Sequence, residues 1–190
     1  MKNDEMQTET LKNELEALKA SVASMEKDIS KLKLVGKSAA ILVFSNDYDR
    51  LMLAFSQANT LASLGVEVHM WFAFWGVVAL KKETLYKGKS WINKIFSFML
   101  PCNINATKLS NFQYMGMGKA MLKSIMKKNN MPPLSTLLET ARDLNVKLSV
   151  CMPSLKMFGI QKEELIDGVS CKGAADFLVN SGKSQITWII

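Results

Sequence analysis

Ala39-Ala40-Ile41-Leu42-Val43-Phe44, followed at once by Ser45-Asn46-Asp47, is the stretch on which the fold turns. An apolar run with no polar alternation is what a strand covered on both faces shows. Ser45-Asn46-Asp47 then turns the chain. Tyr48 to Leu64 carries Leu51, Phe55, Ala58, Leu61 and Ala62 on one helical face, and Gly65 caps it. Val66 to Phe74, rich in β-branched and aromatic residues, reads as a second strand, after which Trp75-Gly76 leads into a short helix to Lys82. Strand, helix, strand, helix at this spacing predicts parallel pairing with right-handed crossovers.

Working outward from that unit, residues 84–131 interrupt the alternation. They hold Trp91 to Leu100, a one-sided apolar helix, then Pro101-Cys102, a polar loop, and Met115 to Lys128, a Met-rich basic helix. Gly116-Met117-Gly118-Lys119 is not a phosphate loop, because the spacing is wrong and no strand precedes it. After Pro132-Pro133, Leu134 to Leu144 reads as a helix and Val146 to Cys151 as a third strand. That strand stops at Met152-Pro153, since proline cannot donate to a ladder, and a short helix carries Ser154 to Phe158. Ala174 to Asn180 is a further helix and Ile186 to Ile190 the terminal strand.

On the other side of the unit, Leu11, Leu15, Leu18, Val22, Met25, Ile29 and Leu32 follow an unbroken 4-3 heptad spacing. With Leu15, Val22 and Ile29 at a, the remainder fall at d, a pattern that favours a parallel coiled coil of two strands, a trimer remaining open. Glu14 would then face Lys19, and Asp28 Lys33, across the pair. The competing arrangement is a lone amphipathic helix lying on the domain, whose apolar stripe is ordinarily wider than a strict a/d seam. The chain therefore divides into a coiled-coil helix over 1–34 and an α/β domain over 36–190.

The 190 residues, 48% hydrophobic and 22% charged, provide for one well-filled core. Three cysteines at irregular spacing make no disulfide framework, and with one histidine they make no zinc site. A reducing cytoplasm is the expected compartment. No secretory signal is expected, because the first 33 residues are charged throughout. The longest apolar run, Met70 to Leu80, has 11 residues, too few to span a bilayer. Residues 1–34 carry 6 basic and 7 acidic side chains, so the whole of the positive net charge resides in the domain. Within it, residues 81–128 hold ten lysines against one acid, Glu83. A solvated face, an acidic partner, nucleic acid or an anionic membrane would each suit that charge. No recognised nucleic-acid motif accompanies the lysines, so a nucleic-acid partner is not expected.

The one histidine, His69, falls inside the second strand and reads as a satisfied strand residue rather than a base, so triads, His-paired cysteine chemistry and His-metal sites are not expected. What remains is thiol chemistry. Cys151 ends a parallel strand, at the sheet edge where ligands bind in open α/β folds, beside a helix start that favours a thiolate over a thiol. A buried thiol packing like a small hydrophobe is an equal reading of the same position. Ser45, Asp47 and Asp49 lie just past the first strand at that edge, Asp47 either capping the helix or serving a site. Trp75 and Gly76 end the second strand there, and Met152 follows the cysteine. Cys102, after Pro101, either resolves a persulfide or disulfide on Cys151 or packs at a helix end. Cys171 reads as structural.

Four segments together carry a resemblance: Phe44-Ser45-Asn46-Asp47-Tyr48-Asp49-Arg50, Phe72-Ala73-Phe74-Trp75-Gly76, Val150-Cys151-Met152-Pro153-Ser154, and Gly159-Ile160-Gln161-Lys162-Glu163-Glu164-Leu165-Ile166-Asp167-Gly168-Val169. Over residues 36–190 the chain resembles the DsrE/DsrF-like family, in its branch of DsrE-like sulfur carriers also labelled peroxiredoxin-family proteins. The resemblance implies a flavodoxin-like parallel sheet with helices on both faces, a homo-oligomer, and a sulfurtransferase or sulfur carrier working through a cysteine persulfide or thiosulfonate. Cys151 stands where the branch carries its cysteine, although Pro153 replaces a residue that is often not proline. The expected function is relay of sulfane sulfur from a donor to an acceptor thiol, with Ser45, Asp47, Trp75, Gly76 and Met152 around Cys151 and with no cofactor or metal. The alternative is a non-catalytic oligomeric module docking on a partner or membrane surface through the basic insertion. Because Trp91 to Leu100 crowds more apolar surface than a short exposed helix should show, a neighbouring subunit is the first expectation for its cover and a membrane the second.

Overall fold

A computed structural model of the chain describes residues 12, 14–25, 37–111 and 116–190. The chain falls into two units, Met1–Val35 and Gly36–Ile190. In the first, residues 14–25 form a helix, α1, on which the heptad residues Leu15, Leu18, Val22 and Met25 are exposed. Lys19 pairs with Glu16 of the same helix at 3.2 Å. Leu11, Ile29, Leu32 and the expected pairing of Asp28 with Lys33 lie outside the described residues.

The second unit is built on a five-stranded sheet whose order is β4-β3-β2-β1-β5, with every neighbouring pair parallel. The strands are β1 (Ser38–Val43), β2 (Glu67–Phe72), β3 (Lys147–Cys151), β4 (Ser170–Lys172) and β5 (Ile186–Ile189). The helices are α2 (Tyr48–Ser63), α3 (Trp91–Met99), α4 (Met117–Lys128), α5 (Leu134–Asp143), α6 (Met152–Phe158) and α7 (Ala174–Lys183). Successive strand residues point to opposite faces, and β2 shows both faces occupied. Phe72 stacks on Phe55 of α2 with ring centroids 5.9 Å apart, while Trp71 meets Phe177 of α7 at 6.1 Å. The α/β, flavodoxin-like parallel sheet with helices on both faces is therefore present. The chain steps β1 to β4 in one direction, then returns across the sheet to place β5 beside β1, so the order reverses at that pair.

Burial explains the apolar runs. Ala39, Ala40, Ile41 and Val43 of β1 and Met70 and Phe72 of β2 are all fully covered, together with Leu51, Phe55 and Ala58 of α2. Several local expectations shift. Strand β2 stops at Phe72, and Phe74–Leu80 is a 3-10 segment rather than the end of a strand and a helix. Helix α6 begins at Met152, which puts Pro153 within its first two positions, where a backbone N–H would have had no intrahelical partner anyway. Strand β4 went unforeseen: three residues, Ser-Cys-Lys, carry no apolar period. No helix among the described residues is long and apolar enough to cross a membrane.

Candidate functional site

The carboxyl edge of the sheet brings three strand ends to one level. Val43 pairs with Phe72 and Phe72 with Val150, so Phe44, Ala73 and Cys151 follow side by side, with Lys172 opposite Cys151 on the far side. Cys151 closes β3 and opens α6, with φ −73° and ψ 114°, and is buried at 9% exposure.

Each strand end is tied to its neighbour. The Ala73 amide donates to Val43 O at 3.0 Å, and the Gly76 amide donates to Phe44 O at 3.0 Å. A Cβ on Gly76 would lie 2.2 Å from Val43 O, so only glycine lets the β2 exit press on the end of β1. Between them Phe74 sits at φ 47°, a conformation that a bulky side chain rarely adopts, and its amide donates to Ser154 Oγ at 2.9 Å. Ser154 is three residues past Cys151, so α6 itself holds the strained turn. Trp75 stacks on Phe158 of α6 at 4.6 Å. The sequence singled out Trp75 and Gly76 at this edge; it missed Phe74 and Ser154, whose roles depend on a contact 80 residues apart.

Ser45 and Asp47 lock each other rather than facing outward. Ser45 Oγ donates to Asp47 Oδ2 at 2.7 Å and accepts from the Asp47 amide at 3.1 Å. Asp47 occupies the position before α2 without a side-chain capping bond, and its carboxylate lies 3.4 Å from Arg50 Nε. Asp49 is committed elsewhere: Ser110 donates to it from its amide at 2.9 Å and from its hydroxyl at 2.5 Å. Burial opposes ionisation of Asp49, but the two Ser110 bonds prevail and hold its carboxyl below the ordinary range.

On the α7 face, strand alternation places Ser149 on the same side of β3 as Cys151. Ser149 Oγ is 2.7 Å from His69 Nε2 and 2.7 Å from Ser170 Oγ, so a polar chain runs across β2, β3 and β4 beneath the cysteine. Burial, then the ammonium groups of Lys172 and Lys147, push the His69 imidazole below its usual value and keep it neutral. His69 is thus a hydrogen-bonded strand residue. Cys171 pairs with Val150 and is half-buried; Cys102 is exposed in the loop after α3. All three thiols are free, so neither Cys102 nor Cys171 is disulfide-bonded to Cys151; Met152 is half-buried.

The segment 159–169 has a structural role that charge alone conceals. Glu164 is fully buried between two buried lysines, its Oε1 2.5 Å from Lys89 Nζ and its Oε2 3.6 Å from Lys81 Nζ. The Gln161 amide donates to Oε1 at 3.0 Å and Lys89 Nζ donates to Ser97 Oγ at 2.7 Å. Two of the ten lysines of the basic segment are therefore interior, and Lys89, held by both Glu164 and Ser97, ties α3 to the segment 159–169. Lys119 is likewise internal in function: it donates to Asn105 O at 2.7 Å and to Thr107 O, over the Tyr48 ring at 4.8 Å. The cleft of about 540 Å³ beside it, lined by Asp49, Ser110, Met117, Met121 and Ile125, does not include Cys151. Among the described residues, no group of three His, Cys, Asp or Glu side chains is placed to hold a metal ion.

Comparison with known proteins adds to this geometry. A profile of the DsrE/DsrF/DrsH-like family matches residues 36–189. The uncharacterized protein YrkE of Bacillus subtilis (strain 168) is 36% identical over 155 residues, covering 81% of this chain and 97% of that one. The sulfur carrier protein DsrE2 of Allochromatium vinosum is 31% identical over 156 residues, covering 79% of this chain and 96% of that one. The crystal structure of the ychN protein from E. coli aligns with a TM-score of 0.46 at 12% identity, over 82% of this chain and all of the other. The family profile over residues 36–189 and the matches that span nearly the whole of YrkE and DsrE2 lead to one assignment: the chain belongs to the DsrE/DsrF/DrsH-like family.

Proposed function

We propose that the domain relays sulfane sulfur through Cys151. The observation that carries this reading is the placement of Cys151 at the carboxyl end of β3 in a chain 31% identical to a protein named a sulfur carrier. In the reaction, the Cys151 thiolate attacks the outer sulfur of a donor persulfide. The new bond joins Cys151 Sγ to that sulfur, the donor S–S bond breaks, and the donor leaves as a thiolate that takes up a proton. An acceptor thiolate then attacks the outer sulfur of the Cys151 persulfide and releases the Cys151 thiolate. The exchange is balanced without an external oxidant, reductant or cofactor. Burial of Cys151 suits it, because water is kept from the persulfide while Trp75, Phe74 and the Ser45–Asp47 turn form the edge that a donor approaches. The protein acts as a homo-oligomer assembled through α1 and the domain, in a reducing cytoplasm, with Cys102 as the second thiol.

Intact-mass spectrometry after polysulfide, thiosulfate or tetrathionate treatment tests the reading. One added sulfur adduct that maps to Cys151, survives in Cys102→Ser and Cys171→Ser, and vanishes in Cys151→Ser is the expected result. An adduct on Cys171 or Cys102 with Cys151 unmodified would overturn it. The second reading, a binding module without chemistry, is favoured by one observation, the outward apolar face of α3.

A further inference from the structure

Helix α3 is amphipathic and inside out. Its inward positions are Asn93 and Ser97, four residues apart, and the buried Leu100 closes its C-terminal end. Asn93 presses on Gly159, where a Cβ would come within 2.7 Å of the asparagine side chain, and Ser97 receives the buried Lys89. The polar side is thus consumed by the domain. The other side presents Trp91, Ile92, Ile95, Phe96, Phe98 and Met99, all exposed, with Trp91 at 72% and Phe98 at 81%. The apolar surface runs on through Phe96, whose ring lies 6.1 Å from Phe158, to the exposed Trp75. Exposed apolar patches of this kind mark an interface.

Charge selects the occupant. Lys94 lies on α3 itself between the aromatics, and Lys87 is exposed just before it. Both belong to the segment 81–128, in which Lys81 and Lys89 are interior and Lys119 is bonded within the domain, leaving seven of its ten lysines exposed against one acid, Glu83. In a symmetric contact between two copies the same patch meets itself, so Lys87 and Lys94 would face their duplicates, and lysines are depleted from the centres of such interfaces. An anionic lipid surface has the complementary sign, and a short helix with aromatics outward and lysines around it is the form that lies in a membrane interface. At nine residues α3 is far too short to span.

We propose that α3 docks the domain on anionic lipid bilayers, inserting Trp91, Phe96 and Phe98 among the headgroups with Lys87 and Lys94 on lipid phosphates. The inference is independent of sulfur transfer. Flotation of the full chain tests it, using phosphatidylcholine vesicles with and without phosphatidylglycerol. The protein should float with the anionic vesicles only, come off at high salt, and lose roughly fivefold in partitioning at low salt in Lys94→Ala. Trp91→Asp with Phe98→Asp should abolish flotation while leaving the melting temperature unchanged, because both side chains are exposed. Cys151→Ser should float like the wild type, so this proposal and the sulfur relay fail separately. Absence of flotation with anionic vesicles at low salt overturns the proposal, as does undiminished flotation of the double variant. If the wild type does not float and the double variant sediments at lower mass, a second copy covers α3 instead.

Discussion

Replacing Glu164 with glutamine leaves two buried ammonium groups without their shared carboxylate. In the native domain Glu164 Oε1 receives Lys89 and the Gln161 amide, while Oε2 faces Lys81 at 3.6 Å with no hydrogen-bond donor of its own. The cluster already holds one cation more than it neutralises, and burial draws the Lys81 ammonium below the ordinary lysine value despite the carboxylate. Removing one partner of a buried ion pair costs ~3–5 kcal/mol. Lys81 can shed its proton in the variant, so the expected loss is at the lower end, about 3 kcal/mol, or on the order of 10 °C in melting temperature for a domain of this size. A lysine whose folded value is depressed binds fewer protons than it does unfolded. The deficit is therefore largest near neutrality and shrinks as pH rises toward the ordinary value of 10.5. Lys81→Met, by contrast, removes the surplus cation and leaves the Glu164–Lys89 pair intact, and should stay within ~1 kcal/mol of the wild type. Urea unfolding followed by tryptophan fluorescence reads both, since Trp71 is buried and Trp75 stacks on Phe158. A loss below ~1 kcal/mol in Glu164→Gln, or a larger one in Lys81→Met, would refute the reasoning.

Gly76→Ala places a methyl against Val43 O, a backbone atom that cannot step aside, and should cost about 3 kcal/mol in urea unfolding; an unchanged midpoint would mean the β2 exit moves freely. His69 has a folded value below the unfolded 6.5, so the unfolded chain binds the extra proton and stability declines as pH falls through that value. Melting curves across that window should show the decline in the wild type and a flatter profile in His69→Gln; parallel profiles would dismiss the assignment. Leu18→Asp with Met25→Asp should lower the mass found by sedimentation velocity if α1 assembles the chain, whereas an unchanged mass would place that seam elsewhere.

Short-range pattern was enough to read β1, α2, α5 and β3, because their apolar spacing is set by a periodicity carried within each segment. It also placed Cys151, Trp75 and Gly76 at one sheet edge, since parallel strands joined by crossovers must end together. The sequence alone likewise identified α3 as one-sided. Which side faces in was settled only by tertiary structure: periodicity shows that a helix has an apolar stripe, not what lies opposite it, and here Ser97 and Asn93 are claimed by Lys89 and Gly159. The same limit applies to Lys81, Lys89 and Glu164. Isolated charges read as solvated, and their burial depends on partners up to 83 positions apart meeting in three dimensions. Strand β4 and the chain from His69 through Ser149 to Ser170 were beyond the pattern too, because hydrogen bonds between distant strands depend on register. Composition and period determine which segments seek burial; only the closed packing of the domain decides which polar groups are drawn in with them and which apolar face is left out.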